Sequence, residues 1–302
     1  HPAARADRQP DRTRGLSLPP PSSSMLDLAF DLASGRPITA PLAFVVAHPD
    51  DESLWLGTAL RRCPNALLIH LTDGAPLDMR DAERLGFATR AAYAAARAAE
   101  TDAALAALGA QPRRVSYGYT DQSLAEHLPG LIARLRDDLR GIAGVVTHPY
   151  EGGHPDHDSA AFAVRAAFDG PVAEFACYHA RGGNRVFGAF WPDADAPEQT
   201  RQLEREERRH VDAAIAAHAT QAEVIGGWRP EVERWRMAPL YAFAAPPPPG
   251  CALYDEFGWA LTSERVSEAV KAAQARLKAG QTHTERQPGL DPGQGFLSGR
   301  PC

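Results

Sequence analysis

The stretch LAFVVAHPDDE at residues 42–52 is the most informative part of the chain. Its apolar part, Leu42 to Val46, predicts a fully buried β-strand, and a histidine and three carboxylates follow directly. Burying a carboxylate without a partner is energetically costly, so a core strand has no use for this much charge. We therefore expect these side chains to serve a metal ion or a catalytic reaction at the point where the strand leaves the core.

A second cluster has the same arrangement further along the chain. HPYEGGHPDHD at residues 148–158 follows another apolar run, residues 143–147. Because the carboxyl ends of parallel strands meet at one edge of a sheet, and ligands bind there, the two clusters predict a single site.

Apolar runs alternate with amphipathic segments over most of the chain. This alternation predicts a Rossmann-like α/β fold, with a mainly parallel sheet flanked by helices. The helix after the second cluster is expected to be capped by Asp158. Strands are predicted at 42–47, 66–71, 114–117, 143–147 and 172–178, and helices at 53–62, 81–108, 123–139, 158–168 and 198–222.

Composition shifts divide the chain into four parts. Residues 1–24 are rich in Arg, Pro and Ser and predict a disordered leader. The main domain is expected over 25–245, and Pro246 to Pro249 open a C-terminal extension, 246–280, that packs on it. This extension is predicted to hold an edge strand at 253–261 and a helix at 263–279, before a disordered tail at 281–302.

Composition also limits the partners. The 302 residues carry a net charge of -6, which disfavours nucleic acid, and no apolar stretch approaches the roughly 20 residues of a membrane helix. The four cysteines form no C-x-x-C pair, so free thiols in a reducing compartment are expected, and we predict a cytoplasmic location. Homo-oligomer formation is left open.

The residue types in the two clusters suit a catalytic zinc site, which usually has three protein ligands and a water. His48 and Asp51 can converge on one ion from a tight turn, and His157 can supply the third ligand. The Asp50 side chain diverges from its neighbour and is placed to take a proton from the metal-bound water. His154 is then free to stabilise an oxyanion or protonate a leaving amine, which completes the parts for amide hydrolysis.

The motifs AHPDDE at 47–52 and HPDHD at 154–158 resemble those of the PIG-L/LmbE-like zinc N-deacetylases. Weaker matches extend the resemblance over roughly residues 40–225. They are TDG at 72–74, RAAE at 97–100 with ALG at 107–109, YTD at 119–121, and HATQ at 218–221, where Thr replaces the family's Ser.

The resemblance implies a Rossmann-like fold and removal of acetyl groups from N-acetylglucosamine conjugates or related amino sugars. It implies one metal ion per chain, either zinc or another divalent metal. His48, Asp51 and His157 would bind the metal, Asp50 would be the general base and His154 the oxyanion stabiliser or acid. Arg97 and Asp121 would hold sugar hydroxyls.

Simpler interpretations and other functions stay open at this point. A polar turn that caps the next helix explains one acid of the first cluster, but not three with a histidine. The same machinery would serve a zinc amidase acting on a thiol conjugate or another N-acylated small molecule. A metal-bound carbohydrate-binding protein without catalysis is a third hypothesis. Ordinary packing is the default for Trp191, Trp228, Trp235 and Trp259.

Overall fold

The computed structural model describes residues 27–248 and 252–284, with no side-chain description after residue 279. The predicted leader, the greater part of the predicted tail, and Cys251 and Cys302 lie outside these ranges. The predicted C-terminal helix is present and extends from Ser263 to Thr284.

Nine strands lie in the described residues, and seven of them form the main sheet in the order β3-β2-β1-β4-β5-β9-β8. Strands β1 to β5 are parallel, β9 is antiparallel to β5, and β8 is antiparallel to β9, while β6 and β7 form a separate hairpin. The predicted mainly parallel α/β sheet is thus confirmed. The strands are β1 Leu42–Val46, β2 Leu67–Thr72, β3 Arg113–Tyr119, β4 Gly144–Thr147, β5 Val172–Phe175, β6 Tyr178–Arg181, β7 Asn184–Phe187, β8 Gln199–Gln202 and β9 Val232–Met237.

Helices cover both faces of this sheet. The longest in the main domain is α4, which packs against α7 on one face, while α5 and α6 pack together with α9. The α-helices are α1 Leu28–Ala33, α2 Ala59–Arg62, α3 Arg80–Arg84, α4 Arg90–Leu108, α5 Leu128–Asp138, α6 Pro155–Ala167, α7 Arg205–Ala217, α8 Ala222–Ile225 and α9 Ser263–Thr284.

Strand β1 lies at the centre of the core. All five of its residues are fully buried, with Phe44 packed into one hydrophobic cluster and Val45 into the cluster on the other face. It pairs with β2 on one side and β4 on the other, so the strand order reverses next to it. In open parallel sheets this switch point is where ligands bind, and both sequence clusters emerge there.

Several predicted elements differ from those observed. The predicted helix at 53–62 is a π-helix, Glu52–Leu56, followed by α2, and the predicted helix at 81–108 is divided into α3 and α4. The predicted helix at 123–139 begins with a short 3₁₀ turn before α5, and the one at 198–222 begins with strand β8.

Two predictions are wrong. Asp158 does not cap α6, because the helix begins at Pro155, where proline's missing N–H costs nothing, and His154 is its cap residue. The edge strand at 253–261 is instead a 3₁₀ helix, Leu253–Phe257, which ends at Gly258 in the left-handed conformation (φ 68°).

No helix in the described part of the chain is both long and apolar enough to cross a membrane. Cys63 and Cys177 are buried free thiols.

Candidate active site

The first motif forms a tight turn between β1 and the π-helix. Asp50 adopts φ 138° there, a backbone conformation that costs a residue with a side chain about 1–3 kcal/mol. Its N–H donates to the Glu52 Oε2 atom at 3.0 Å, and the Ala47 N–H donates to the His148 Nε2 atom at 3.0 Å. The turn is therefore held by side chains from its own sequence and from the second motif.

Glu52, one of the three acids of the first motif, has a structural role. It is fully buried, with its Oε2 atom 2.9 Å from the His70 Nε2 atom and its Oε1 atom 3.3 Å from the His218 Nε2 atom. Although burial opposes ionisation, the hydrogen bonds of both histidines hold the pKa of Glu52 well below its usual range. The carboxylate stabilises the turn from beneath and ties it to β2 and to the end of α7.

His48, Asp51 and His157 converge as the sequence predicts. The His48 Nδ1 atom lies 3.5 Å from an Asp51 carboxylate oxygen, the His157 Nε2 atom lies 3.5 Å from the other oxygen, and the two histidine nitrogens are 3.3 Å apart. Two ligands bound at about 2.1 Å to a tetrahedral zinc ion are themselves about 3.4 Å apart. The spacing and the donor types thus fit a zinc ion, and all three side chains are buried.

Carboxylates orient the His48 ring from its other nitrogen. Its Nε2 atom lies 3.1 Å from Asp121 Oδ1 and 3.3 Å from Asp156 Oδ2, so Nε2 carries a proton, and Nδ1 is the nitrogen that would bind a metal once the ion displaces the proton there. Burial opposes protonation of His48, but Asp121 and the other nearby carboxylates raise its pKa well above its usual value. Asp156 also accepts the N–H groups of Gln122 and Leu124, at 2.6 and 3.0 Å, and so positions the loop after β3.

Arg97 is paired with Asp50. Its Nη2 atom donates to Asp50 Oδ2 and to the Pro49 carbonyl, both at 2.7 Å, and its Nη1 atom donates to the Gly74 carbonyl. Burial raises the pKa of Asp50 to about 6, with Asp51 adding to the rise and Arg97 opposing it. A carboxylate with a pKa near neutral is suited to accept a proton during catalysis.

His154 faces the same space as a neutral ring. Its Nδ1 atom accepts the Asp156 N–H at 3.1 Å, which leaves the ring proton on Nε2; the Nε2 atom lies 3.8 Å from Asp121 Oδ1. Burial, followed by the charge of His48, lowers the pKa of His154 to about 3. The ring is therefore arranged to donate a hydrogen bond rather than to carry a positive charge.

Two further side chains contact His157, and nothing in the sequence predicts the second of them, Cys177, at the site. The His148 ring stacks on it with centroids 3.9 Å apart, and the Cys177 Sγ atom lies 3.4 Å from its Nδ1 atom. Three further groups in the described residues could hold a metal: His48 with His154 and His157, His148 with His157 and Cys177, and His48 with Asp121, His154 and Asp156. In the last group both oxygens of Asp156 already accept backbone N–H groups, so it is a weaker candidate.

All of the predicted site residues line one cavity of about 580 Å³, within the size range of small-molecule sites. Aromatic side chains line it as well, including two of the tryptophans for which packing was the default interpretation. The predicted residues are His48, Asp50, Asp51, Arg97, Asp121, His154 and His157. The two tryptophans with that default interpretation are Trp228 and Trp259, and Trp55 lines the cavity with them.

Residues 43–168 match the model of the PIG-L family, described as GlcNAc-PI de-N-acetylase. The chain carries a PIG-L domain. This confirms the resemblance seen in the two motifs, both of which lie within the matched segment. No curated protein matches the chain.

Solved structures share the fold of the PIG-L domain. A triple mutant of Orf2, a deacetylase involved in the teicoplanin biosynthetic pathway, is 19% identical, with a TM-score of 0.52 over 66% of this chain and 97% of that one. A zinc-inhibited form of teicoplanin deacetylase Orf2 is 17% identical, with a TM-score of 0.50 over 65% and 97%. At this identity the matches establish a common architecture.

Gly153 offers a test of how the second motif is positioned in the PIG-L domain. A Cβ atom at this position would lie 2.1 Å from the Tyr178 carbonyl oxygen, so the backbones of the His154 loop and β6 must separate to admit it. We expect Gly153→Ala to lower the free energy of unfolding by about 1–3 kcal/mol, measured by urea denaturation. Gly130→Ala is the control, since its Cβ would meet only the Tyr119 hydroxyl at 3.8 Å; equal stability of the two variants would contradict the prediction.

Proposed function

We propose that this chain is a zinc-dependent N-deacetylase that hydrolyses the N-acetyl group of an amino sugar or glycoconjugate. One observation supports this most directly. A buried set of donors with the spacing of zinc ligands shares its cavity with a carboxylate of pKa about 6 and with a neutral histidine that presents an N–H. The PIG-L domain supports the same reaction class.

His48, Asp51 and His157 would hold the zinc ion. When bound, zinc acts as a Lewis acid and lowers the pKa of a water molecule to about 7. Asp50 would accept the proton of the attacking water, and that proton would pass to the amide nitrogen as the C–N bond breaks. The His154 Nε2–H would donate a hydrogen bond to the carbonyl oxygen as it gains negative charge. The products are acetate and a free amine.

The contacts of Arg97 and Asp121 favour positioning roles. Both terminal nitrogens of Arg97 are occupied by Asp50, Pro49 and Gly74, so its first task is to hold the general base. Asp121 orients His48. Both residues line the cavity, and a direct contact with sugar hydroxyls stays a prediction.

We also propose a reducing, cytoplasmic compartment, which the two buried free thiols support.

Acetate release tests the reaction. We expect the zinc-loaded protein to release acetate from at least one N-acetylglucosamine conjugate, and a chelator to abolish the release, which added zinc then restores. The panel includes glycosides, a thiol conjugate and simple N-acetyl amines, so that amino-sugar deacetylation is separated from a broader amidase activity. A protein that binds zinc but releases acetate from none of them would be a binding protein, and the proposal would be wrong.

A further inference from the structure

The cavity is polar around the catalytic groups and aromatic beyond them. Four rings contact one another in sequence: Trp55 lies 5.6 Å from Trp228, which lies 6.0 Å from Phe187, and Phe187 lies 5.6 Å from Tyr178. Trp55 also donates from Nε1 to Asp51 at 3.2 Å. The aromatic surface therefore starts at a proposed zinc ligand and continues outward; we call these four side chains the aromatic wall.

The outer part of the cavity exposes apolar side chains to water. Phe187 is 43% exposed, Val224 68% and Phe257 37%, and all three line the cavity. Exposed apolar groups gathered at one place commonly mark a binding site. Here they continue directly from the catalytic residues, so the group they would bind belongs to the molecule whose amide reaches Asp50.

The aromatic wall is held in place by its surroundings. Trp228 lies so close to Gly188 that a Cβ atom there would be 2.6 Å from the indole ring, and Gly188 has φ 64°. The Trp228 Nε1 atom donates to the Leu54 carbonyl at 3.3 Å. The ring is thus packed tightly on one side and faces the cavity on the other.

The C-terminal extension lines another part of the cavity, through Phe257 and Trp259. The Trp259 ring packs edge-on against His154 with centroids 5.0 Å apart. The Leu253 N–H donates to the Gly152 carbonyl at 2.7 Å, and the Tyr254 hydroxyl donates to Asp158 at 2.9 Å. These bonds fix the extension to the second motif.

At the rim, one arginine contacts both the aromatic wall and the C-terminal extension. The guanidinium of Arg185, from the β6–β7 hairpin, lies 5.3 Å from the centre of the Phe257 ring and 5.8 Å from that of Phe187. The segments that build this rim lie after the matched residues 43–168, so they are suited to set what this chain selects.

We infer that the substrate carries an extended apolar group beside the amide, seated between the aromatic wall and Phe257. This rests on the proposed function. The apolar group is either a longer acyl chain or an apolar aglycone on the sugar, since both would lie against the same surface. A cavity of about 580 Å³ is larger than an acetyl amino sugar alone requires.

Two series of substrates distinguish whether the apolar group is an acyl chain or an aglycone. One holds N-acyl glucosamines from acetyl to octanoyl, and the other holds alkyl glycosides of N-acetylglucosamine from methyl to octyl. We expect kcat/KM to rise about fourfold per buried methylene in one series, as burial of apolar surface predicts. Phe187→Ser and Phe257→Ser should flatten that rise. Phe30→Ser is the matched control, because Phe30 is 52% exposed on α1, away from the cavity, and it should keep the slope.

A binding measurement on the metal-free protein gives a second readout. Alkyl glucosides of increasing chain length should change the tryptophan fluorescence at progressively lower concentrations. Amide hydrolysis without chain-length dependence in either series, measured as release of the free amine, together with chain-length-independent binding, would overturn this inference and leave the proposed function intact. Chain-length-dependent binding without hydrolysis of any substrate would support the apolar site and overturn the proposed function.

Discussion

Replacing Asp50 with asparagine should leave the proposed zinc ion bound and lower kcat by a factor of about 10²–10⁴, the usual contribution of a general base. The substitution removes a proton acceptor whose pKa burial has raised to about 6. Asparagine keeps a carbonyl oxygen for Arg97 and, like aspartate, is among the residues that best tolerate positive φ. The loss should therefore be chemical rather than structural.

The measurements are metal content, kcat for acetate release and the melting temperature of the same preparations. Asp102→Asn is the control, since Asp102 is an exposed residue of α4 whose carboxylate pairs with Arg114. Near-normal turnover of Asp50→Asn with zinc bound would sink the assignment of Asp50 as base. A large drop in melting temperature would show instead that Asp50 serves chiefly as the partner of the buried Arg97.

Removing one of the converging histidines should lower the zinc content and the activity together, whereas Asp50→Asn should lower only the activity. His48→Ala and His157→Ala each delete one donor of the set with 3.3–3.5 Å spacing. Loss of a residue that only hydrogen-bonds to a metal ligand lowers metal affinity by about 10–100-fold. Loss of a ligand itself should therefore lower the affinity by more than about 100-fold. Zinc content after dialysis should fall from one per chain to near zero, and activity should fall with it.

His210→Ala is the matched control, because His210 bonds to the Ala107 carbonyl on the α4–α7 face, outside the cavity. Thermal unfolding supplies an independent readout: zinc at 100 times its Kd should stabilise a binding protein by about 2.7 kcal/mol. This stabilisation should be present in His210→Ala and absent in His157→Ala. Stoichiometric, tightly held zinc in His157→Ala would assign the metal instead to the group without His157, which is His48, Asp121, His154 and Asp156.

Much of the sheet follows from the apolar pattern. Four of the five parallel strands, β1, β2, β4 and β5, are buried at every residue, and runs such as Leu42 to Val46 identify them without ambiguity. The fifth, β3, is an edge strand that is mostly exposed, and its predicted range, 114–117, is shorter than the observed one. The strands that were missed, β6 to β9, carry charged residues such as Arg181 and Arg234 along their length. They are stabilised by pairing with other strands, which a local pattern does not reveal.

The C-terminal extension shows how tertiary contacts override local preference. Aromatic residues between Leu253 and Leu261 favour a strand, yet the segment turns at Gly258 because Tyr254 and Leu253 bond to the second motif. The same contacts bring Trp259 to His154. The sequence offers no signal for this approach, since the two residues are far apart in the chain.

Within the site, the sequence predicts which residues lie close together but not which hydrogen bonds and ion pairs they form. Both motifs meet in one cavity, as expected from strand ends at one edge of the sheet. Local pattern does not show that Asp156 would anchor the loop of Asp121 through backbone N–H groups, or that Arg97 would pair with Asp50. Those roles depend on distances set by the packing of α4 and α6.

The separation of the converging histidines along the chain bears on when the protein can acquire its metal. His48 and His157 lie 109 positions apart, on segments that the pairing of β1 with β4 and the packing of α6 on β1 bring together. A nascent chain that ends before the second motif offers only part of the donor set, so zinc loading should follow assembly of the sheet rather than guide it. Variants that impair strand pairing should then not be rescued by zinc supplied during synthesis, whereas folded, metal-free protein should take up the ion directly.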